Sequence, residues 1–414
     1  MPALSPTPPS RRQFLVAAGA VLAAPLLPAS TVNLLDELEA SAVRFFFEHS
    51  DPQTGLVRDR ARAYGPEARN VASIAATGFG LSAMCIADRR GWLPPGEARR
   101  RVMRTLEYLA NRADHRHGFY WHFMDMSTGV RSWHSEISSV DTSWLLCGTL
   151  HAREHFALPS IDRLAAEIQD RVDWRWMLDG ANLLSHGWTP EAGFLPYRWD
   201  SYAEFLAMYL LALGSSTAPL PPSTWDAWKR PVRRCGGIRY IDSSTPLFTH
   251  QYSHAWFDFR QRRDRYADYF ENSRRATLAN RMACIEQAHQ FRCYDDNVWG
   301  ITTADTSGGY RNVVSPDGTL VPCAAGGSIA FLPRECGAVL ETMLARYGSR
   351  IWCRYGFIDA FEPEQNWYGP DVIGIDLGIM LLMAENARTG SVWETMAAAP
   401  EVQRGLVAAG FRTV

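Results

Sequence analysis

Lysine is nearly missing: Lys229 is the single lysine among 42 cationic residues in a chain of 414. Schiff-base, pyridoxal-phosphate and P-loop chemistries each need a placed lysine, so this scarcity leaves them almost no room. Basic residues form no run longer than Arg99-Arg100-Arg101, and 42 cations against 44 anions give a formal charge of -2. Nothing in that pattern follows a phosphate backbone, so nucleic acid is not an expected partner. No two of the eight cysteines are spaced as C-x-x-C, which removes zinc ribbons and thioredoxin-type motifs. H-E-x-x-H is lacking as well. Ser328 has Gly326 before it but Ala330 after it, so the nucleophile elbow G-x-S-x-G is not met.

What the chain does have is aromatic side chains, 12% of the total with 15 Trp, on an ordinary globular background of 47% apolar and 21% charged residues. Flat faces in that number suit a groove that stacks sugar rings. Near the N-terminus, Arg11-Arg12 precede an apolar stretch from Phe14 to Leu27 and small residues at Ala29-Ser30, a twin-arginine export signal with a cleavage site. That stretch of about 14 residues falls short of the roughly 20 that span a bilayer. The expectation is a signal over residues 1–30 and a single catalytic domain over 31–414, periplasmic or secreted, monomeric and without stable membrane insertion. Losing Arg11 and Arg12 leaves 40 cations against 44 anions. Cys85 and Cys147 fall in apolar helical patterns and are expected as buried thiols, while Cys284 and Cys293 are a candidate bridge.

Helical periodicity recurs over 33–49, 70–89, 95–113, 137–156, 160–174, 201–213, 271–290, 333–347, 371–388 and 392–409. Long irregular stretches separate these segments at 114–135, 175–200, 214–270 and 291–332. No βαβ alternation appears. An all-α toroid of paired helices ringed around an axis, with long aromatic-rich loops at one end, fits the count. Gly78-Phe79-Gly80-Leu81-Ser82-Ala83 matches a dinucleotide fingerprint but lies inside a helical segment, where close helix packing accounts better for the glycines. His250, His254 and Asp258, four apart, would line one helical face as metal ligands, yet the surrounding sequence lacks the catalytic glutamate of such motifs. No metal and no cofactor is expected.

The remaining chemistry lies in carboxylates set among rings: Glu136 and Asp141 after Trp133-His134, Asp200 and Glu204 around Tyr202, Asp295 and Asp296 before Trp299, and Asp376. Glycosidic cleavage needs two carboxyls, one protonated and one ionised, and an apolar setting raises the pKa of the one that keeps its proton. Two of these carboxyls have a competing structural use, since Ser201-x-x-Glu204 and Ser138-x-x-Asp141 both read as capping boxes. Glu385 lies nine positions after Asp376 and points to the opposite helix face.

On Thr54-Gly55-Leu56-Val57, Val71 to Gly78, Pro246 to Trp256, Asp268 to Arg274, Trp299-Gly300-Ile301-Thr302, Ile373-Gly374-Ile375-Asp376 and Glu385 to Gly390, the chain resembles the bacterial glycoamylase-like family that contains endo-β-1,2-glucanases. The resemblance runs from about Ala40 to Phe411. It implies an (α/α)6 toroid, no metal, and inverting hydrolysis of a β-glucan, β-1,2-linked, with Glu204 as the acid and Asp376 as the base. His134, Glu136, Asp141, His250, Tyr252, His254 and Asn272 would then hold sugar hydroxyls, and Trp199, Tyr202 and Trp367 would stack on rings. Tyr294-Asp295-Asp296 departs from the family pattern, which has a glutamate before the Trp-Gly pair. Two other readings use the same residues. A polysaccharide lyase would draw on Tyr252, His254, Asn272 and Arg274, and a non-catalytic periplasmic glycan binder would need only the aromatic faces.

Overall fold

The computed structural model describes residues 27–414. The twin-arginine pattern lies outside them, and the expected boundary at residue 30 falls in the first turn of the first helix. Fifteen α-helices are present among the described residues: α1 (Ala29–Glu48), α2 (Ile74–Arg90), α3 (Glu97–Asn111), α4 (Ser139–Phe156), α5 (Pro159–Asp170), α6 (Trp174–Leu178), α7 (Leu206–Gly214), α8 (Ser223–Ala227), α9 (Tyr252–Trp256), α10 (Tyr269–Glu286), α11 (Pro322–Gly326), α12 (Pro333–Tyr347), α13 (Gly374–Arg388), α14 (Ser391–Ala397) and α15 (Pro400–Ala408).

Two kinds of helix alternate. In α2 every residue from Ile74 to Ala87 is buried, in α4 every residue from Ser139 to Arg153, and in α7 all of them. Such all-round burial places a helix inside. By contrast α5 buries a single stripe, Ile161, Leu164, Ala165 and Ile168, and α3 does likewise through Ala98, Val102, Leu106 and Leu109. The inner helices meet in sequence: α2 packs on α4, α4 on α7, α7 on α9, α9 on α13, and α13 back on α2. The outer helices α1, α3 and α5 lie against them. One cluster of buried apolar side chains extends from Leu34 to Ala409.

The α2–α4 crossing gives the Gly78 motif its reason. A Cβ on Gly78 would stand 2.3 Å from the Trp144 carbonyl oxygen, and one on Gly148 would stand 2.2 Å from the Gly78 carbonyl oxygen. The two backbones touch there, which only glycine permits.

Several expectations need correction. The helical pattern at 201–213 starts at Leu206, leaving Glu204 in the preceding turn. The 392–409 pattern is two helices, because Pro400 cannot continue the first and opens the second. The long connecting stretches hold four short helices, α6, α8, α9 and α11, and ten of the nineteen strands among the described residues, each strand two to four residues long. Periodicity cannot register elements of a single turn. All eight cysteines are free, so Cys284 and Cys293 form no bridge, whereas Cys85 and Cys147 are buried as expected.

Candidate active site

Three inner helices grow directly out of short strands: Val71–Ser73 runs into α2, Ile137–Ser138 into α4 and Asp371–Ile373 into α13. Ser73 and Ser138 cap their helices, accepting from the amides of Ala76 and Asp141. These junctions bring the N-terminal ends of α2, α4, α7, α9 and α13 to one cavity of about 530 Å³. Its walls include Asp59, His122, Trp133, Glu136, Asp141, Trp144, Trp199, Glu204, Tyr252 and Tyr310.

Glu204 sits half-buried at the entrance to α7. Burial, with the nearby Asp141 charge, lifts its carboxyl from 4.5 to about 7. The capping role read from Ser201 is not realised: α7 has no side-chain cap, and the Ser201 hydroxyl instead accepts from Ser243 at 3.0 Å. Ser253 organises this junction, donating to the Glu204 carbonyl and accepting from Ala207 N.

Glu136 and Asp141 line the same cavity beside His122, which no sequence motif singles out. His122 Nδ1 is 3.0 Å from Glu136 Oε1, and its Nε2 is 3.6 Å from Asp141 Oδ1. Burial opposes a charge on the ring, but the two carboxylates overcome it and raise the imidazole from 6.5 to about 9. Glu136 is correspondingly held below its usual range, against its own burial, while burial raises Asp141. Ligand atoms of these three residues lie within 4.8 Å of one another, a spacing that would also admit a metal ion. The run Tyr120-Trp121-His122-Phe123, in a loop already marked by its aromatic residues, was the available signal for His122.

Aromatic faces complete the walls. Trp199 stacks on His186 with centroids 3.7 Å apart and donates to Ser139 Oγ at 2.9 Å. Trp133, at φ 56° and 63% exposed, stands at the rim beside Phe123.

Asp376 occupies the first turn of α13, buried, and is not among the residues lining this cavity. Its Oδ1 accepts from the Tyr252 hydroxyl at 3.1 Å, and Tyr252 does line the cavity. Burial raises the Asp376 carboxyl to about 6, while the adjoining Asp359 and hydrogen bonds from Cys323 and Tyr252 limit the rise. Glu385 points away as expected, bound to Arg90, Thr389 and Ser391.

Of the other expected contacts, Glu136, Asp141, Trp199 and Tyr252 meet at the cavity, and six residues do not. His134 is exposed, with its carbonyl held by Arg131. Tyr202 is fully buried, parallel to Tyr269. His250 faces Asp242 at 3.7 Å, on a different cavity. His254 is buried against Ser273 at 3.0 Å. Asn272 exchanges two hydrogen bonds with the Ile241 backbone, tying a hairpin to α10. Trp367 is paired with Glu362 in another hairpin. Each has the chemistry of a sugar contact, and in all but the exposed His134 packing has used the side chain elsewhere. Asp258 binds Arg260, so the His250, His254 and Asp258 set does not converge on a metal. Arg274 binds Glu271, and with His254 and Asn272 buried apart the lyase set is not assembled either.

Residues 196–400 match the glycoamylase family model, described as a putative glucoamylase. An exo β-1,2-glucooligosaccharide sophorohydrolase of Parabacteroides distasonis is 27% identical over 424 residues, covering 92% of this chain. The chain spans 58% of that relative's length. An endo-β-1,2-glucanase of Chitinophaga pinensis, solved with sophorotriose and glucose, superposes with a TM-score of 0.85 at 28% identity over 93% of this chain and 99% of the other. A glucoamylase-like structure from Bacteroides uniformis gives 0.87 at 27% identity, over 93% and 98%. By these matches the chain is similar to the glycoamylase-like family and to endo-β-1,2-glucanases.

Proposed function

We propose that this protein is a glycoside hydrolase that cleaves a β-1,2-linked glucan with inversion, on an (α/α)6 toroid made of the inner and outer helices. One observation carries the reading: Glu204, lifted to about 7, lines one aromatic-walled cavity together with the carboxyls of Asp59, Glu136 and Asp141. A carboxyl that keeps its proton near neutrality can donate it to the leaving glycosidic oxygen as the bond breaks. Asp376 is the base. It takes the proton of the attacking water through the Tyr252 hydroxyl, which passes its own proton to Oδ1. Glu136 and Asp141, locked by His122, are acceptors for sugar hydroxyls, and Trp133 and Trp199 offer ring faces. The names of the Parabacteroides and Chitinophaga relatives support the linkage. Export by the twin-arginine route to the periplasm belongs to the same reading and rests on Arg11-Arg12.

A second assignment of the base has its own support. Asp141 lines the cavity directly and its charge acts on Glu204. The reaction class is tested by incubating the protein with purified β-1,2-, β-1,3-, β-1,4- and α-1,4-glucans and measuring released sugars. Release from the β-1,2-glucan alone is expected, and binding of that glucan without release would overturn the hydrolase reading.

A further inference from the structure

Behind the cavity wall, a second carboxyl lies against the base. Asp359 is buried, and its Oδ2 accepts from the Asp305 amide at 2.6 Å. Among the described residues its Oδ1 has no donor, and neither has Oδ2 of Asp376. Both residues line the same void of about 10 Å³, at the lower limit for one water molecule. A buried carboxylate oxygen without a donor is costly, and two facing carboxylates can satisfy each other only if one of them carries a proton. Asp376 already receives Tyr252 and Cys323 on Oδ1 and sits in the first turn of α13, where the helix dipole favours an anion. Asp359 has no comparable support for a charge.

We propose that Asp359 is a positioning residue for the base, carrying a proton that its Oδ1 donates to Oδ2 of Asp376. The inference rests on the reading of Asp376 as base, but its physical content is the shared proton. The charged and titratable groups that face the pair are consistent with a single negative charge. They are the Tyr252 hydroxyl, the Cys323 thiol, the Tyr310 hydroxyl and the Asp305 carboxylate, the last held with Asp59 by the Arg60 guanidinium. Burial first and the Asp376 charge second drive Asp359 well above the ordinary carboxyl range. Donation from Asp359 leaves Asp376 ionised with its other oxygen directed at Tyr252, the one route from this carboxylate to the cavity that the contacts provide.

Three measurements on the full chain test this. In the infrared difference spectrum of wild type minus Asp359→Asn at neutral pH, the C=O stretch of a protonated carboxyl is expected, and its lack would overturn the proposal. Asp359→Asn still donates a hydrogen bond to Asp376, so its pH profile should stay close to that of wild type. Asp359→Ala donates none, and the acid limb of its kcat/KM profile should move up by about one pH unit, since an anion that loses a donor is harder to form. Superimposable profiles for Asp359→Ala and wild type would also overturn it. The infrared comparison decides the matter if Asp359→Ala fails to fold. Asp376→Asn separates the two claims: full activity together with the infrared band removes Asp376 as base but leaves the shared proton, whereas lost activity without the band does the reverse.

Discussion

Nδ1 of His122 lies 3.0 Å from Oε1 of Glu136, close enough for the ring to act as a fixed cation in the floor of the cavity. The ring is raised from 6.5 to about 9, so it binds its proton more tightly folded than unfolded. The stabilisation is fully present below pH 6.5 and is lost as pH rises through about 9. The melting temperature of the wild type should therefore fall across that window, and thermal melts of His122→Asn should show a flatter profile. An equally steep decline in the variant would show that another group is responsible.

The same three side chains offer a spacing suited to a metal. With the imidazolium already neutralising the carboxylates, dialysis against a chelator is expected to leave activity unchanged. Loss of activity that zinc or calcium restores would reassign His122, Glu136 and Asp141 as ligands.

Glu204→Gln keeps the shape of the acid but cannot deliver a proton. Hydrolysis should slow by about 100 to 10,000 fold. Because α7 takes no side-chain cap from this region, the melting temperature should hardly move. In the wild type, activity should fall as pH rises through about 7, where the acid loses its proton. Product NMR should detect the α-anomer first, and a β-anomer formed first would exclude inversion.

Tyr252→Phe removes the hydroxyl that joins Asp376 to the cavity and retains the ring that packs beside Phe79 and Trp144. The rate should drop about as far as in Asp376→Asn, by roughly 100 fold or more. If both variants turn over near-normally while Asp141→Asn does not, the base is Asp141.

Gly78→Ala forces a methyl group against the Trp144 carbonyl, and Gly148→Ala forces one against the Gly78 carbonyl. Either should cost about 1–3 kcal/mol or more, because neither backbone can withdraw without moving its helix. Denaturant titration will check this, and an unchanged midpoint would contradict the close contact.

The long helices were legible because an apolar repeat sustained over four or more turns is produced by little except a helix with a buried face, and Gly78 was legible as a packing residue within one. The α9 region was not, since a five-residue helix leaves no period to count. Within the site, Glu136, Asp141, Glu204 and Tyr252 were legible as polar or aromatic residues at or just before helix starts, where this fold gathers its cavity, and Trp199 as an aromatic residue of a long loop. His250, His254 and Asn272 look identical in sequence, and only the partners Asp242, Ser273 and Ile241, all distant or unremarkable in the chain, reveal their use in packing. His122 and Asp359 were not legible for the opposite reason, because each draws its chemistry from a carboxylate brought close by folding.

Seven of the eight thiols are buried, and burial drives those of Cys85, Cys147, Cys323 and Cys336 well above the ordinary thiol range. A thiol that is both covered and protonated reacts only after its surroundings open. The chain thus carries its own set of internal clocks. The labelling rate of Cys147 times the parting of α4 from its neighbours, and that of Cys323, whose sulfur lies 3.4 Å from Asp376 Oδ1, times the exposure of the base itself.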